Sequence, residues 1–199
     1  NSLGAEPKLS VFLGVDASEE RVKSMDLTGV GVLAFATHGL VPGDLNGLLQ
    51  PALALSSPKV VGGKDDGLLT MGEILALKLD ADWVVLSACN TGSGQGAGAE
   101  AVSGLGRAFF YAGTRALLVS NWPVESTSAK ALITDLFSRQ AKDPSLDRAE
   151  ALRQAMSGLI DGKGYVDPKS GKTVFSYAHP LFWAPFSLIG DGGGGEFGS

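Results

Sequence analysis

The chain has 199 residues, a formal net charge of −5, 44 % apolar residues and 19 % charged residues. That suits one α/β domain with a sizeable core, or at most two small ones, and excludes a disordered tail. Lys and Arg are scattered without a basic cluster, so nucleic acid is not expected as a main partner, and no apolar run approaches the roughly 18 residues of a membrane span.

One cysteine leaves no intrachain disulfide and fits a reducing, cytoplasmic compartment. The opening "NSLGAEPKLS" lacks the basic start and apolar stretch of a signal peptide. It also begins without Met, and the chain reads as part of something longer. The ending "GGGGEFGS" reads as a linker or cloning-derived tail over 192–199, outside the folded domain of 1–191.

In chain order, "LSVFLG" (9–14) is a short apolar run and predicts a strand. "SEERVKSMDL" (18–27) predicts a surface helix, with Ser18 or Asp16 as N-cap and acids in its first turn. "GVLAFATHG" (31–39) is the continuous run of a strand buried on both faces. Residues 40–68 are rich in Gly, Pro, Asp and Ser, and predict a helical turn near "LNGLLQ" within a long mobile loop. "TMGEILALKL" (70–79) opens with Thr70 and Glu73 at capping-box spacing. "ADWVVLSAC" (81–89) is a second buried strand. "GAEAVSGLGRAFFYAG" (98–113) has helical periodicity and ends on Gly113, a C-cap residue. "RALLVSNWPV" (115–124) is a third strand. Amphipathic helices follow over 128–142 and 145–160, the latter with Ser145 as N-cap, and "HPLFWAPFSLIGD" (179–191) ends in a strand at "FSLIG". Strands and helices alternate. The fold class is therefore α/β, a mostly parallel central sheet with helices on both faces, and no internal boundary or repeat divides it.

In open parallel sheets, ligands bind at the carboxyl ends of the strands. The run "VLAFAT" delivers His38 and "WVVLSA" delivers Cys89, each followed closely by Gly. Should the two strands be neighbours, imidazole and thiol share one rim. A thiol beside an imidazole ionises more readily, and the thiolate is the nucleophile. The N–H groups of Gly39 and Cys89 are then candidates for an oxyanion hole. The plainer reading stands beside this: a lone Cys in an apolar segment is usually a small core residue, and a lone His after a strand is usually a hydrogen-bonded structural group. Two such residues, each ending its own buried strand, favour chemistry. His38 also precedes Cys89 by 51 residues, close to the roughly 50 of the caspase arrangement.

"FATHG", then "DGLLTMGEILALKLDADWVVLSACNTGSG", then "GLGRAFFYAGTRALLVSNWPV" and "HPLFWAPFSLIGD" resemble the CHAT domain, the caspase-like domain often found with tetratricopeptide repeats. The resemblance covers roughly residues 9–191. It implies a caspase–hemoglobinase fold and a cysteine endopeptidase, with His38 matching the catalytic histidine and Cys89 the nucleophile. It also implies a protein or peptide substrate, and regulation by an N-terminal repeat region or partner chain. By the same resemblance, "VSNWPVE" after the third strand is the segment that pairs with a bound peptide, which makes Ser120, Asn121, Trp122 and Glu125 substrate-binding candidates. Core packing is the alternative for Trp122, and a helix N-cap is the favoured role for Glu125. Metacaspases carry Asp two residues before the nucleophile; Ser87 stands there, and neither a basic nor an acidic P1 preference follows.

The remaining features read structurally. Glu100 and Arg107 are helix-face groups, with Glu100 near the Cys loop, and His179 in "HPLFW" belongs to a lid over the core. "GSGQGAG" lacks the Gly-Lys-Ser/Thr ending of a phosphate loop, and one Cys with two distant His makes a poor metal set, so no cofactor or metal is expected. Two other classes stay open: a catalytically silent caspase-like scaffold or interaction domain, and a thiol redox or acyl-transfer enzyme. The second of these would want a resolving cysteine or a cofactor loop.

Overall fold

A computed structural model of the chain describes residues 6–87 and 97–193. Two compact units lie within them, residues 6–123 and the residues from Val124 onward. The first runs α1 (Pro7–Ser10), a single 3-10 turn (Gly14–Asp16), α2 (Glu19–Ser24), β1 (Val32–Phe35), β2 (His38–Leu40), β3 (Ala52–Ala54), α3 (Pro58–Val61), β4 (Leu68–Thr70), α4 (Met71–Leu75), β5 (Trp83–Leu86), α5 (Ala97–Ala112) and β6 (Ala116–Ser120).

The apolar runs become the central sheet. β1, β5 and β6 lie parallel in that order, with Phe35 opposite Leu86 and Leu86 opposite Val119. Every residue of β5 and β6 is buried. That explains their unbroken apolar sequences, since strands of a parallel sheet are covered on both faces. Helix α5 lays Leu105, Ala108 and Phe109 into a core shared with Val84, Leu117 and Ile74 of α4. The turn after α5 fits no side chain: Gly113 has φ +113°, and a Cβ there would stand 2.1 Å from the Leu79 carbonyl oxygen. The close approach is fixed by Leu79 N–H donating to Ala112 O at 2.7 Å. At the amino end of the sheet, exposed Arg115 reaches Asp80 at 2.9 Å and Asp82 at 3.2 Å. Exposed pairs of this kind contribute little to stability.

The second unit runs α6 (Ser126–Lys142), α7 (Arg148–Asp161), the short pair β7 (Tyr165–Val166) and β8 (Thr173–Phe175), a 3-10 turn (Pro180–Phe182) and β9 (Phe186–Gly190). Leu132 and Leu136 of α6 are buried, as are Ala151 and Ala155 of α7. Arg139 links the two helices, donating to Asp135 and to Gln154, both at 2.9 Å. Arg148 at the start of α7 bonds Asp191 and Gly193 O, each at 3.0 Å, which fastens the residues after β9. Tyr165, Phe175, Tyr177 and Phe182 make a small aromatic cluster around buried Tyr177, with ring centroids 5.2 to 5.6 Å apart.

The mixed α/β class and the mostly parallel central sheet are as the sequence order predicts, and the architecture is that of a caspase-like fold. Three local expectations are corrected. Residues 9–14 are not a strand. The chain forms α1 over Pro7–Ser10, Gly14 at φ +54° breaks extension, and Leu9 and Leu13 are 70 % and 74 % exposed. Residues 40–68 are not one long loop but hold β3, α3 and the start of β4, and β2, β3 and β4 form an antiparallel sheet in that order. Only the turn at Leu45–Leu48 stands as expected. The N-cap of α7 is Asp147, not Ser145. Ser145 instead donates its hydroxyl to Asp143 at 2.6 Å in the turn before the helix.

Candidate active site

The candidate residues follow the carboxyl ends of the parallel strands in the sequence. Phe35 O accepts from Ser87 N–H at 3.1 Å, so the β1–β5 ladder runs one residue past the strands. With Phe35, Leu86 and Val119 in register, the residues three positions further along each chain are His38, Cys89 and Trp122. Residues 88–96, Cys89 among them, lie outside the described residues.

His38 is the first residue of β2. It is exposed, and it pairs with Ala54 of β3. The hydrogen-bond phase of this sheet follows from its far side. Leu55 N–H donates to Gly67 O at 2.7 Å and Met71 N–H to Pro51 O at 2.9 Å. Antiparallel ladders alternate between exchanging and non-exchanging pairs. The odd residues of β3 therefore face β4, and Ala52 and Ala54 face β2. The exchanging pairs across β2–β3 are Leu40–Ala52 and His38–Ala54, so buried Gly39 turns its N–H away from β3. Beside them, the hydroxyl of Thr37 donates to Ala54 O. The main chain of His38 is thus held from β1 on one side and from β3 on the other. At the base of this segment Phe35 packs on Phe109, ring centroids 5.7 Å apart.

Ser120 ends β6 fully buried, and Asn121 and Trp122 follow half-buried. In the second unit, Glu125 is the N-cap of α6: its carboxylate accepts from Thr127 N–H at 2.9 Å and Ser128 N–H at 2.7 Å. Burial opposes its ionisation, but these bonds outweigh burial and hold the carboxyl below its ordinary range. The helix-cap reading of Glu125 is what the geometry gives. His179 accepts from Leu181 N–H at 3.2 Å and caps the 3-10 turn, in keeping with its structural reading. Arg107 and Glu100 both lie within α5.

A second cluster supports β4, the far strand of the His38 sheet. Glu19 is 3 % exposed and accepts from Gly67 N–H at 2.9 Å. Lys23 meets Glu19 at 2.7 Å, Glu73 at 3.0 Å and Asp65 at 3.1 Å. Burial raises the Glu19 carboxyl above its ordinary value. Burial also opposes ionisation of Glu73, yet donation from Thr70 N–H and hydroxyl and from Lys23 prevails and holds it down to about 2. Thr37 and this cluster were not legible in the sequence. "ATHG" and the Thr70–Glu73 spacing were their only signals.

The family model described as CHAT domain matches residues 1–191. Tetratricopeptide repeat protein 28 of Mus musculus is 29 % identical over 217 residues and that of Homo sapiens 30 %, each alignment covering 94 % of this chain. The chain spans 8 % of the length of either relative. Among the described residues, no helix is long and apolar enough to cross a membrane.

Proposed function

This chain belongs to the CHAT domain family, which is caspase-like, and on that premise we propose that it is a cysteine endopeptidase working through a His38–Cys89 dyad. The observation that carries the reading is the β1–β5 register: Phe35 pairs with Leu86, and His38 and Cys89 each follow in the sequence by three residues. In this mechanism His38 takes the proton of Cys89, and the thiolate attacks the scissile carbonyl carbon. The imidazolium then protonates the leaving amine, and the thioester is hydrolysed by a water that His38 deprotonates. The Gly39 N–H, turned out of the β2–β3 ladder, suits an oxyanion donor, with Cys89 N–H as the second. Ser120, the last residue of β6, and Asn121 and Trp122 after it are the segment for an extended peptide substrate. Glu125 contributes by capping the helix after it. A free thiol nucleophile belongs in a reducing compartment, and we assign the protein to the cytoplasm. Both relatives carry tetratricopeptide repeats in their names, and such repeats are the expected neighbours of this domain.

The test is the alkylation rate of Cys89 by iodoacetamide against pH, in the parent and in His38→Ala. A dyad gives a reactive plateau reaching below pH 7 that the mutation abolishes. A curve rising only near the ordinary thiol value of about 8.5, the same in both proteins, overturns the dyad and leaves the silent scaffold. Cleavage of an unfolded protein substrate, lost in Cys89→Ala, separates the endopeptidase from an acyl-transfer or redox enzyme.

A further inference from the structure

We infer that Thr37 is a positioning residue for His38, an assignment that rests on the dyad reading and deepens it. Ala36 and Thr37 are the only residues between the end of β1 and the start of β2. Across that step the chain passes from a parallel neighbour, β5, to an antiparallel one, β3. A two-residue corner between two ladders leaves the direction of the next side chain to whatever fixes the corner. Here the Thr37 hydroxyl donates to Ala54 O. Ala54 is also the register partner of His38, so one carbonyl oxygen anchors the corner and the residue after it. On its other side, next to Ala54, β3 is held independently, through Leu55 N–H to Gly67 O and Gly67 N–H to Glu19. Ala54 is therefore a fixed post and not a mobile acceptor. Thr37 is half-buried and His38 exposed. The clamp thus acts on the main chain beneath the imidazole and leaves the ring free to meet its partner and substrate. Without the hydroxyl, the corner keeps its length but loses its second bond to β3, and the ring samples directions away from the sheet edge.

The experiment compares Thr37→Val, Thr37→Ala and Thr37→Ser with the parent and His38→Ala. The readouts are the Cys89 alkylation profile and the 1H–13C correlation of the two imidazoles. His179, capping a turn in the other compact unit, is the internal control. Removing the hydroxyl is expected to lower the alkylation rate at pH 6.5 by about 10- to 100-fold, the scale of an ångström-sized misplacement. It should also displace the His38 resonances while those of His179 stay, and Thr37→Ser should keep the parent behaviour. If His38→Ala abolishes the plateau but Thr37→Val and Thr37→Ala retain it, with His38 resonances unmoved, positioning by Thr37 is wrong and the dyad stands. Loss of the dyad reading looks different: His38→Ala leaves the alkylation profile unchanged, while the imidazole spectra still report whether Thr37 orients the ring. Failure of both hydroxyl-free variants to fold, with Thr37→Ser folded, would make the bond a requirement of the fold and overturn the positioning role.

Discussion

Gly113 and Glu125 carry single-residue consequences that differ in kind. At Gly113 both the backbone conformation and the space exclude a side chain. Gly113→Ala must hold an L residue at φ +113° and push a methyl into Leu79 O. Strain of the first sort alone costs about 1–3 kcal/mol, and the 2.1 Å approach is of Cβ itself to a main-chain oxygen, which no rotamer relieves. We expect Gly113→Ala to lower the thermal midpoint by at least about 5 °C, at roughly 2–4 °C per kcal/mol for a chain of this size. An unchanged midpoint in differential scanning calorimetry contradicts this. Glu125 acts through charge. Its folded-state carboxyl lies below the unfolded value, so its contribution is complete above about pH 4.3 and is lost as pH falls through the folded value. Glu125→Ala should therefore cost about 1 kcal/mol at pH 7, and the gap from the parent should close as the solution is taken below pH 4. A gap that persists at pH 3 means that Glu125 stabilises by packing and not as a charged cap.

Helix α2, the segment before β4 and helix α4 meet through one ammonium. Lys23 faces Glu19, Asp65 and Glu73, and its own pKa is raised, first by Glu19. Lys23→Met leaves three carboxylates together, one of them almost fully buried. A buried charge left without its partner costs about 1–3 kcal/mol or more, and urea unfolding at pH 7 should show it. The sign with pH follows from Glu19, whose folded pKa is already raised by burial and rises further once the cation is gone. The folded variant then binds protons more tightly than the unfolded chain, so it regains stability as pH falls from 7 to 5. Glu73 runs the other way in the parent: its contribution is complete above about pH 4.3 and is lost progressively as pH falls through about 2. A deficit in Lys23→Met that is constant from pH 7 to 5 would place the damage in packing. The same elements show what the sequence made legible. The Thr70–Glu73 capping box, the Ser18 N-cap and the Gly113 stop were readable because each is a local pattern with its own hydrogen bonds. β5 and β6 were readable because burial on both faces demands unbroken apolar runs. β2, β3 and β4 escaped because strands of three residues are too short to show a period, and their pairing joins residues up to 18 apart, as in Ala52 with Thr70. The Thr37 clamp escaped with them, since its acceptor is a main-chain carbonyl that no side-chain pattern marks.

At the scale of the molecule, both members of the proposed dyad come from residues 6–123, and the core of that unit supports the strand leading to His38. Phe109 is fully buried and touches Phe35, the last residue of β1. Leu132 of α6 is equally buried within the other unit. Truncation to alanine costs about 3–5 kcal/mol for a buried Phe and about 2–5 for a buried Leu, a large share of the roughly 5–15 kcal/mol that holds a domain folded. By stability alone the two variants should look alike. Their effects on the site should not. Phe109→Ala opens a cavity beneath β1, three residues before His38, whereas Leu132→Ala opens one between α6 and its packing partners, away from either dyad residue in the chain. With both variants held well below their urea midpoints, Phe109→Ala should slow Cys89 alkylation at pH 6.5 and Leu132→Ala should leave it near the parent rate. Equal slowing in both would mean that thiol activation reports global opening and not the seating of β1. In that case the register of β1 against β5, which carries the dyad reading, would position the two residues without setting their reactivity.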